Sequence, residues 1–159
     1  MKVAIVMGSD SDFPVVEKAV NVLKKFGIEL EVRVLSAHRT PHQALAFSEN
    51  AEKNGFDVII AAAGKSAHLP GVLAAVTILP VIGLPIKSST LDGLDSLFSI
   101  VQMPTGIPVA TVAINGAENA ALLAVHIMAL KYDVLKEKLK EYRKQMAAEV
   151  EAKDKALKY

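Results

Sequence analysis

Three short apolar runs, each followed by glycine or polar residues, restrict the folds open to this chain more than any other feature. They are Val3–Met7, Val58–Ala63 and Val81–Ile86. Such runs, without polar alternation, are typical of strands buried on both faces of a parallel sheet. Between the first two lies Phe13–Phe26, whose apolar residues recur at helical spacing until Gly27 ends the pattern. The chain is therefore expected to alternate buried strands with helices.

The other segments continue this alternation. Ile28–Leu35 alternates apolar and charged residues, which predicts a strand with one solvent-facing side at the edge of the sheet. Thr40 and Pro41 open a helix predicted to run to Gly55, with Thr40 as its cap and Gln43 closing a capping box. The remaining pattern predicts a short helix over Val72–Ile78 and a longer helix over Gly93–Gln102. A strand over Val109–Ile114 and a helix over Ala117–Leu130 are predicted to follow.

Five strands alternating with helices predict an α/β fold, a doubly wound parallel sheet between two layers of helices. The expected strand order is flavodoxin-like, with the second strand at an edge. Residues 1–130 form one catalytic α/β domain in this interpretation. Residues 131–159 are predicted to add an extended amphipathic C-terminal helix to the same domain, because apolar residues recur there at spacings of three and four among many charges: Leu135, Leu139, Tyr142, Met146 and Val150.

The composition excludes several classes of protein. The 159 residues include no cysteine, so disulfide frameworks, thiolate nucleophiles and sulfur-ligated metals are ruled out, and a reducing compartment is indicated. A net charge of +1 offers no field that would attract nucleic acid or anionic lipid. The uncharged stretch Ser66–Ile86 has the length of a membrane span, but prolines divide it, and the first apolar run is too short for a signal peptide. We expect a cytoplasmic protein that binds neither nucleic acid nor membranes.

Polar residues follow the predicted strands. Gly8–Asp12 comes after the first strand, Ser36–Arg39 after the second and Gly64–His68 after the third. The carboxyl ends of parallel strands meet at one edge of the sheet, where ligands of such folds bind. The sequence therefore predicts a functional site at this edge.

The first two loops have the chemistry of a sugar-phosphate site. Hydroxyls and backbone N–H groups at a helix start commonly hold phosphate, and a carboxylate such as that of Asp12 accepts hydrogen bonds from ribose hydroxyls. The alternative is that Ser11 or Asp12 only caps the helix. Arg39 has a guanidinium group that could bind a phosphate through two hydrogen bonds.

Two histidines, His38 and His68, lie on separate strand-end loops. An imidazole both gives and takes a proton near neutral pH, which favours an acid–base role for them. Neither the glycine motif of dinucleotide sites nor the Walker phosphate loop is present, and no acidic residue lies beside His68. We therefore expect proton-transfer chemistry without a metal ion and without a cofactor.

Four motifs, in order along the chain, resemble the N5-carboxyaminoimidazole ribonucleotide mutase family, which also includes catalytic subunits of phosphoribosylaminoimidazole carboxylase. They are Gly8–Asp12, Ser36–Pro41, Ala67–Gly71 and Asp95–Pro104, and the resemblance covers about residues 3–130. It implies an isomerase of purine biosynthesis. That enzyme moves a carboxylate from the exocyclic nitrogen of an aminoimidazole ribonucleotide to its ring carbon, without ATP, biotin or metal.

The resemblance also implies roles for individual residues. Ser9, the adjacent helix start and Arg39 would hold the 5′-phosphate, and Asp12 would bind a ribose hydroxyl. His38 would act as general acid and then as general base, while His68 would orient the carboxylate. Further substrate contacts are expected from Ser11, Ser36, Gly64, Lys65, Ser66 and Leu69, and the Gln102–Pro104 segment would cover the site. The family also implies a homo-oligomer of eight subunits, a C-terminal helix packed on a neighbouring subunit, and coupling to an ATP-dependent carboxyaminoimidazole ribonucleotide synthetase.

Two alternatives remain open. Lys65 and Ser66 stand where the mutase pattern has two small residues, and they resemble enzymes that carboxylate aminoimidazole ribonucleotide with free carbon dioxide. Under that alternative the protein is a phosphoribosylaminoimidazole carboxylase. A signalling receiver domain is a more distant alternative. Such a domain needs a phosphoacceptor aspartate at the end of the third strand, where this chain has Gly64 and Lys65.

Overall fold

A parallel sheet of five strands forms the centre of the protein, in a computed structural model that describes residues 1–158. The strands are β1 (Lys2–Met7), β2 (Glu29–Val34), β3 (Val58–Gly64), β4 (Val81–Ile86) and β5 (Ala110–Thr111). Their order across the sheet is β2-β1-β3-β4-β5. The flavodoxin-like order, with the second strand at an edge, is therefore confirmed.

Helices cover both faces of the sheet. They are α1 (Phe13–Phe26), α2 (Pro41–Glu49), α3 (Leu69–Ala74), α4 (Leu94–Val101), α5 (Ala117–Ala129) and α6 (Asp133–Ala156). The cluster of buried residues on one face comes from α1, α5 and α6, and the cluster on the other face comes from α2, α3 and α4. Within residues 1–158, no helix combines the length and apolar character needed to cross a lipid bilayer.

Alternate side chains of the central strands enter the two separate cores. In β1, Val3 and Ile5 face α1 and α5, whereas Ala4 and Val6 face α2 and α3, and all four are fully buried. The period of two along a strand produces this division. Because both faces of β1 are covered by helices, every residue from Val3 to Met7 is apolar, which is the pattern seen in the sequence.

Local interactions move several boundaries from their predicted positions. The capping box at α2 is wrong, because the Thr40 hydroxyl accepts from the Ser36 N–H at 2.9 Å and donates to the Ser36 carbonyl, so it is used within the preceding turn. The α2 helix ends at Glu49, and turns follow to Gly55. The α3 helix begins three residues before the predicted start, since Pro70 fits a first helical turn. The last strand, β5, has only two residues.

The C-terminal helix α6 is attached to the domain along its first half. Leu135 and Leu139 are buried, and the Tyr142 ring lies 5.8 Å from that of Phe26. Lys138 Nζ donates to the Phe26 carbonyl at 2.6 Å, which ties α6 to the end of α1. The second half of α6, from residue 143 onward, is exposed. The helix predicted over residues 131–159 is thus present from Asp133 to Ala156, and residue 159 lies outside the described residues.

Candidate active site

A cleft of about 530 Å³ opens at the carboxyl edge of the sheet, above the ends of β1, β2, β3 and β4. This volume lies within the range of small-molecule sites. The cleft is lined by Gly8, Ser9, Ser11, Asp12, Ser36, Ala37, His38, Arg39, Ala63, Gly64, Lys65, Ser66, His68, Leu69, Ile86 and Lys87. All eleven residues predicted to act in catalysis or substrate binding are among them. The topology therefore brings together side chains that are up to 60 residues apart in sequence.

The loop after β1 forms a short 3₁₀ turn, Asp10–Asp12, before α1. The Ser9 hydroxyl accepts hydrogen bonds from the Ser11 backbone N–H at 3.3 Å and from the Ser11 hydroxyl at 2.9 Å. Asp12 stands at the start of α1 but its side chain makes no capping hydrogen bond. The expectation that Ser11 or Asp12 caps α1 is therefore wrong, since Ser9 caps the preceding turn instead.

The Asp12 carboxyl of this loop is half-buried and lines the cleft. Burial raises its pKa above the ordinary aspartate value, the Ser11 hydroxyl opposes that shift, and the negative charge of Asp10 adds to it. A half-buried carboxyl that is not used to cap the helix is available to a ligand hydroxyl.

Arg39 bridges the loops after β1 and β2. Its Nη2 donates to the Gly8 carbonyl at 2.8 Å, and its backbone N–H donates to the Ser36 hydroxyl at 3.1 Å. The guanidinium group is thereby held beside the N–H groups that begin the 3₁₀ turn and α1. Ser36 thus positions Arg39, so that a cation and a helix start face the same end of the cleft.

The loop after β3 carries a strained residue. Lys65 has a φ of +56°, a left-handed conformation that costs a residue with a side chain about 1 kcal/mol. Beyond the loop, Leu69 is buried at the start of α3, and Ala63 is buried at the end of β3. The cleft therefore has an exposed lysine, Lys65, beside a small wall formed by the apolar residues Ala63 and Leu69.

His38 and His68 are in direct contact. The Nε2 atom of His38 lies 2.8 Å from Nδ1 of His68, and the two rings meet edge to face, with centroids 5.0 Å apart and planes at 80°. Thirty residues separate them in sequence. Their placement on separate strand-end loops at one edge of the sheet was predicted, but nothing in the sequence indicated the hydrogen bond.

Two further residues depart from the predicted site. Lys87, at the end of β4, lines the cleft and forms an ion pair of 3.0 Å with Asp92. Its position directly after a predicted strand was the signal that could have identified it. Met103, in the segment expected to cover the site, instead lies against Gly71 of α3 and does not line the cleft.

Comparisons with known proteins decide the family. Residues 2–149 match the protein family described as AIRC, AIR carboxylase. The chain belongs to the AIR carboxylase family. A relative from Pyrococcus horikoshii, named N5-carboxyaminoimidazole ribonucleotide mutase, is 58% identical, over 98% of this chain and 88% of that protein. A relative from Thermotoga maritima with the same name is 57% identical, over 94% of this chain and 87% of its own length.

Two further proteins are similar to the chain. The phosphoribosylaminoimidazole carboxylase of Saccharomyces cerevisiae is 62% identical over 126 residues, which are 79% of this chain but only 22% of the yeast protein. The crystal structure of Treponema denticola PurE is similar over 99% of both chains, with a TM-score of 0.88 and 34% identity. The fold and the family expected from the four motifs are therefore confirmed.

Proposed function

We propose that this chain is an N5-carboxyaminoimidazole ribonucleotide mutase. The supporting observation is that one cleft is lined by both an arginine, Arg39, and a histidine, His38, in a chain whose relatives carry that name. The enzyme moves a carboxylate from the exocyclic nitrogen of an aminoimidazole ribonucleotide to its ring carbon. Residues of the cleft supply the proton transfer and the charge recognition that this isomerisation needs.

The ribonucleotide phosphate binds at the Arg39 end of the cleft. Arg39 supplies a charge-assisted pair of hydrogen bonds, and the Ser9 hydroxyl and the N–H groups at the start of α1 complete the phosphate site. Ser11 and Ser36 support this site through their contacts with Ser9 and with the Arg39 backbone.

The ribose lies next to the phosphate, at the start of α1. Asp12 accepts a hydrogen bond from a ribose hydroxyl there. This placement uses the half-buried carboxyl that makes no capping bond to α1. The sugar therefore directs the imidazole ring away from Arg39 and toward the two histidines.

His38 acts first as acid and then as base. In its charged form it protonates the exocyclic nitrogen, and the bond from that nitrogen to the carboxyl carbon breaks, with the electron pair left on nitrogen. Carbon dioxide leaves, and the ring carbon of the resulting aminoimidazole attacks it as an enamine carbon. His38 then removes the proton from that ring carbon, which restores the aromatic ring and the charged imidazole.

Carbon dioxide must be retained between these two steps. Ala63, Gly64 and Leu69 provide a small apolar wall at the histidine end of the cleft. Lys65 and Ser66 lie beside that wall and bind the carboxylate before it is released and after it is recaptured. Exclusion of water from this end keeps the carbon dioxide close to the ring carbon.

A second candidate function uses free carbon dioxide directly. The yeast relative is named phosphoribosylaminoimidazole carboxylase, and Lys65 gives the carboxylate end of the cleft a positive charge. The two functions are separated by supplying purified protein either with the N-carboxylated nucleotide or with aminoimidazole ribonucleotide plus bicarbonate. The mutase proposal expects the higher kcat/KM with the N-carboxylated nucleotide, and a higher value with the other pair of substrates would establish the carboxylase.

The oligomer belongs to the same proposal. Leu94, Phe98 and Val101 form an apolar stripe on α4, each about half exposed, and the second half of α6 extends from the domain with Met146 and Val150 exposed. Exposed apolar surface of this kind marks protein interfaces. We assign these surfaces to contacts within a homo-octamer, in which α6 packs on a neighbouring subunit.

The substrate also identifies the preceding reaction. An N-carboxylated amine is a carbamate that loses carbon dioxide readily, so it must be made close to where it is used. An ATP-dependent carboxyaminoimidazole ribonucleotide synthetase is the enzyme class that supplies it. A coupled assay with such a synthetase would show carboxylated product formed from aminoimidazole ribonucleotide at low bicarbonate only when both enzymes are present.

A further inference from the structure

The turn of residues 36–40, between β2 and α2, is closed by hydrogen bonds between its two ends. The Thr40 hydroxyl accepts from the Ser36 backbone N–H at 2.9 Å and donates to the Ser36 carbonyl at 3.2 Å. The Thr40 backbone N–H donates to the same carbonyl at 2.9 Å. One side chain, that of Thr40, thus bonds to both backbone groups of the residue at the other end of the turn.

The middle of the 36–40 turn carries the two residues on which the proposed mechanism depends most, His38 and Arg39. Within residues 1–158, the backbone groups of Ala37 and His38 form no hydrogen bond, and the Arg39 backbone N–H donates only to the Ser36 hydroxyl, at 3.1 Å. Both functional side chains are exposed to the cleft. The backbone that carries them is therefore held mainly through the two ends of the turn.

Thr40 itself lies outside the cleft. Residues 36–39 line that cleft, whereas Thr40 lines a smaller neighbouring cavity of about 280 Å³. Its side chain is half-buried, and its hydroxyl proton is already donated to the Ser36 carbonyl. A contribution of Thr40 to the reaction would therefore act through the turn.

We infer that Thr40 is a positioning residue that holds the proton-transfer group of His38 and the phosphate-binding group of Arg39 in one fixed arrangement. The inference rests on the proposed mutase function and adds to it a residue that contacts no substrate atom. Reacting groups must be held close to their productive geometry, and a displacement of about 1 Å can cost about 100-fold in rate. Threonine suits this task because its branched Cβ restricts χ1, so the hydroxyl has little rotational freedom to lose when the turn closes.

The test compares Thr40→Val with Thr40→Ser. Valine has nearly the shape of threonine but no hydroxyl, so the Ser36 N–H loses its partner, whereas serine keeps the hydroxyl. We expect Thr40→Val to lose kcat on the order of 10- to 100-fold through displacement of His38, and to raise KM several-fold through displacement of Arg39. Thr40→Ser should keep both constants within about 3-fold of the wild type, since only the rotamer restriction is lost.

Two outcomes of this comparison would overturn the inference. Wild-type kcat and KM in Thr40→Val would show that the hydroxyl does not position the turn. A raised KM with wild-type kcat would show that the hydroxyl binds the phosphate directly and does not position His38. Thr40→Ala also lacks the hydroxyl and adds no bulk, so it should match the valine variant, and it decides the question if Thr40→Val does not fold.

A matched control separates positioning from a merely structural role. The Thr77 hydroxyl also accepts from a backbone N–H, that of Leu79 at 3.2 Å, but it lies in the loop before β4, at the opposite edge of the sheet. Urea denaturation measures the stability of each variant, and kinetics without urea measures the turnover of the folded protein. Thr77→Val should keep wild-type kcat and KM. Equal kinetic losses in the two valine variants would contradict a specific role for Thr40.

A double variant tests whether Thr40 acts on KM through Arg39. In an Arg39→Ala background, Thr40→Val should raise KM no further, because the group that it positions for the phosphate is already absent. It should still lower kcat, because His38 remains in the turn. Effects on KM that multiply would contradict positioning of Arg39 by Thr40.

The inference also has a test that does not need turnover. In the free protein, the ¹⁵N signals of the His38 ring report its contact with His68, in which Nε2 and Nδ1 lie 2.8 Å apart. Thr40→Val should shift the His38 signals, and Thr77→Val should leave them unchanged. Unchanged signals in Thr40→Val would overturn the inference. If wild-type protein converts neither nucleotide, the mutase proposal fails, while the ¹⁵N result still decides whether Thr40 positions His38.

Discussion

Arg39 is a residue of the cleft whose hydrogen bonds position a positive charge for an anionic ligand. Its Nη2 bond to the Gly8 carbonyl holds the guanidinium group against the loop that leads from β1 to α1. A hydrogen bond between charged partners contributes about 1.5–3 kcal/mol, so Arg39→Ala should raise the KM for the ribonucleotide on the order of 10- to 100-fold. The kcat should change little, because Arg39 contacts no reacting atom in the proposed complex.

Steady-state kinetics with the N-carboxylated nucleotide measures this effect. Arg33→Ala is the matched control, since Arg33 lies on the edge strand β2, outside the cleft, and pairs with Glu31 at 3.2 Å. An unchanged KM in Arg39→Ala, or an equal rise in Arg33→Ala, would remove Arg39 from the phosphate site.

A variant of Lys65 tests whether this residue binds the substrate carboxylate in the same cleft. Lys65→Met keeps the length of the side chain and removes its charge. We expect kcat/KM for the N-carboxylated nucleotide to fall about 10-fold or more, since the substrate loses a charge-assisted contact at its carboxylate. The comparison variant is Lys87→Met, whose lysine also lines the cleft but is already paired with Asp92 and should therefore matter less. Equal losses in the two variants would argue against a specific role for Lys65.

At the level of elements, the position of α4 depends on a glycine in the sheet. A Cβ atom at Gly83 of β4 would overlap with Ile100 Cγ2 and lie only 2.9 Å from Val109 Cγ1. Ile100 is fully buried, so it cannot move aside without displacing α4. Gly83→Ala should therefore destabilise the protein by about 1–3 kcal/mol, the usual cost of overpacking.

Urea denaturation measures this loss as a lower midpoint. Gly8→Ala is the control for stability, because a Cβ atom at Gly8 would meet nothing within 4 Å. If Gly83→Ala unfolds at the same urea concentration as the wild type, the close contact between β4 and α4 is not a constraint on the fold.

The elements also show how far the sequence alone can specify this molecule. The strands β1, β3 and β4 were predicted to within one residue, because helices cover both faces and leave only apolar positions. The last strand, β5, was predicted too long, because only two residues of that segment join the ladder. Residues 109–114 are half-buried or exposed, so their apolar pattern reports neither full burial nor pairing.

The sequence predicted which residues line the cleft, but it did not predict how their side chains contact one another. The residues of the cleft were identified because parallel strands place their carboxyl ends together, which is a rule of topology. The hydrogen bond from His38 to His68 depends on how two loops approach each other. The ion pair of Lys87 and the left-handed Lys65 likewise arise from loop conformation, for which the sequence has no periodic signal.

On the scale of the whole molecule, Asp57 joins three separate parts of the chain at the amino edge of the sheet. Its carboxylate accepts from the Lys2 backbone N–H at 3.0 Å, from Lys131 Nζ at 3.1 Å and from the Tyr132 hydroxyl at 2.9 Å. Burial alone would raise the pKa of Asp57, but these three donors and the charge of Lys131 outweigh it and hold the pKa below the ordinary value of 3.8.

A lowered pKa has a definite consequence for stability. The stabilising contribution of Asp57 is fully present above the pKa of the unfolded chain and is lost as pH falls through the lower pKa of the folded state. Wild-type protein should therefore lose urea resistance progressively below about pH 4. Asp57→Asn should be less stable at neutral pH by about 1–3 kcal/mol, and its stability should fall less steeply in acid. Parallel acid profiles of the two proteins would show that Asp57 does not contribute in this way.

The exposed apolar surface leads to a prediction about assembly. Leu94, Phe98 and Val101 recur on one face of α4, and Phe98 is 57% exposed. If this stripe is buried between subunits, a charge placed in it must be desolvated on assembly at a cost that a subunit contact cannot offset. Phe98→Lys should therefore shift the protein from an octamer toward smaller species, while the fold of each subunit persists because the side chain is not part of either core.

Sedimentation velocity gives the distribution of species, and circular dichroism at the same concentration checks that the subunit remains folded. Asn54→Lys is the matched control, since it adds the same charge on an exposed turn at the amino edge of the sheet, away from α4. We expect that control to sediment as the wild type does. An octamer that survives Phe98→Lys would place the α4 stripe outside the interface, and a wild-type monomer would remove the proposed assembly altogether.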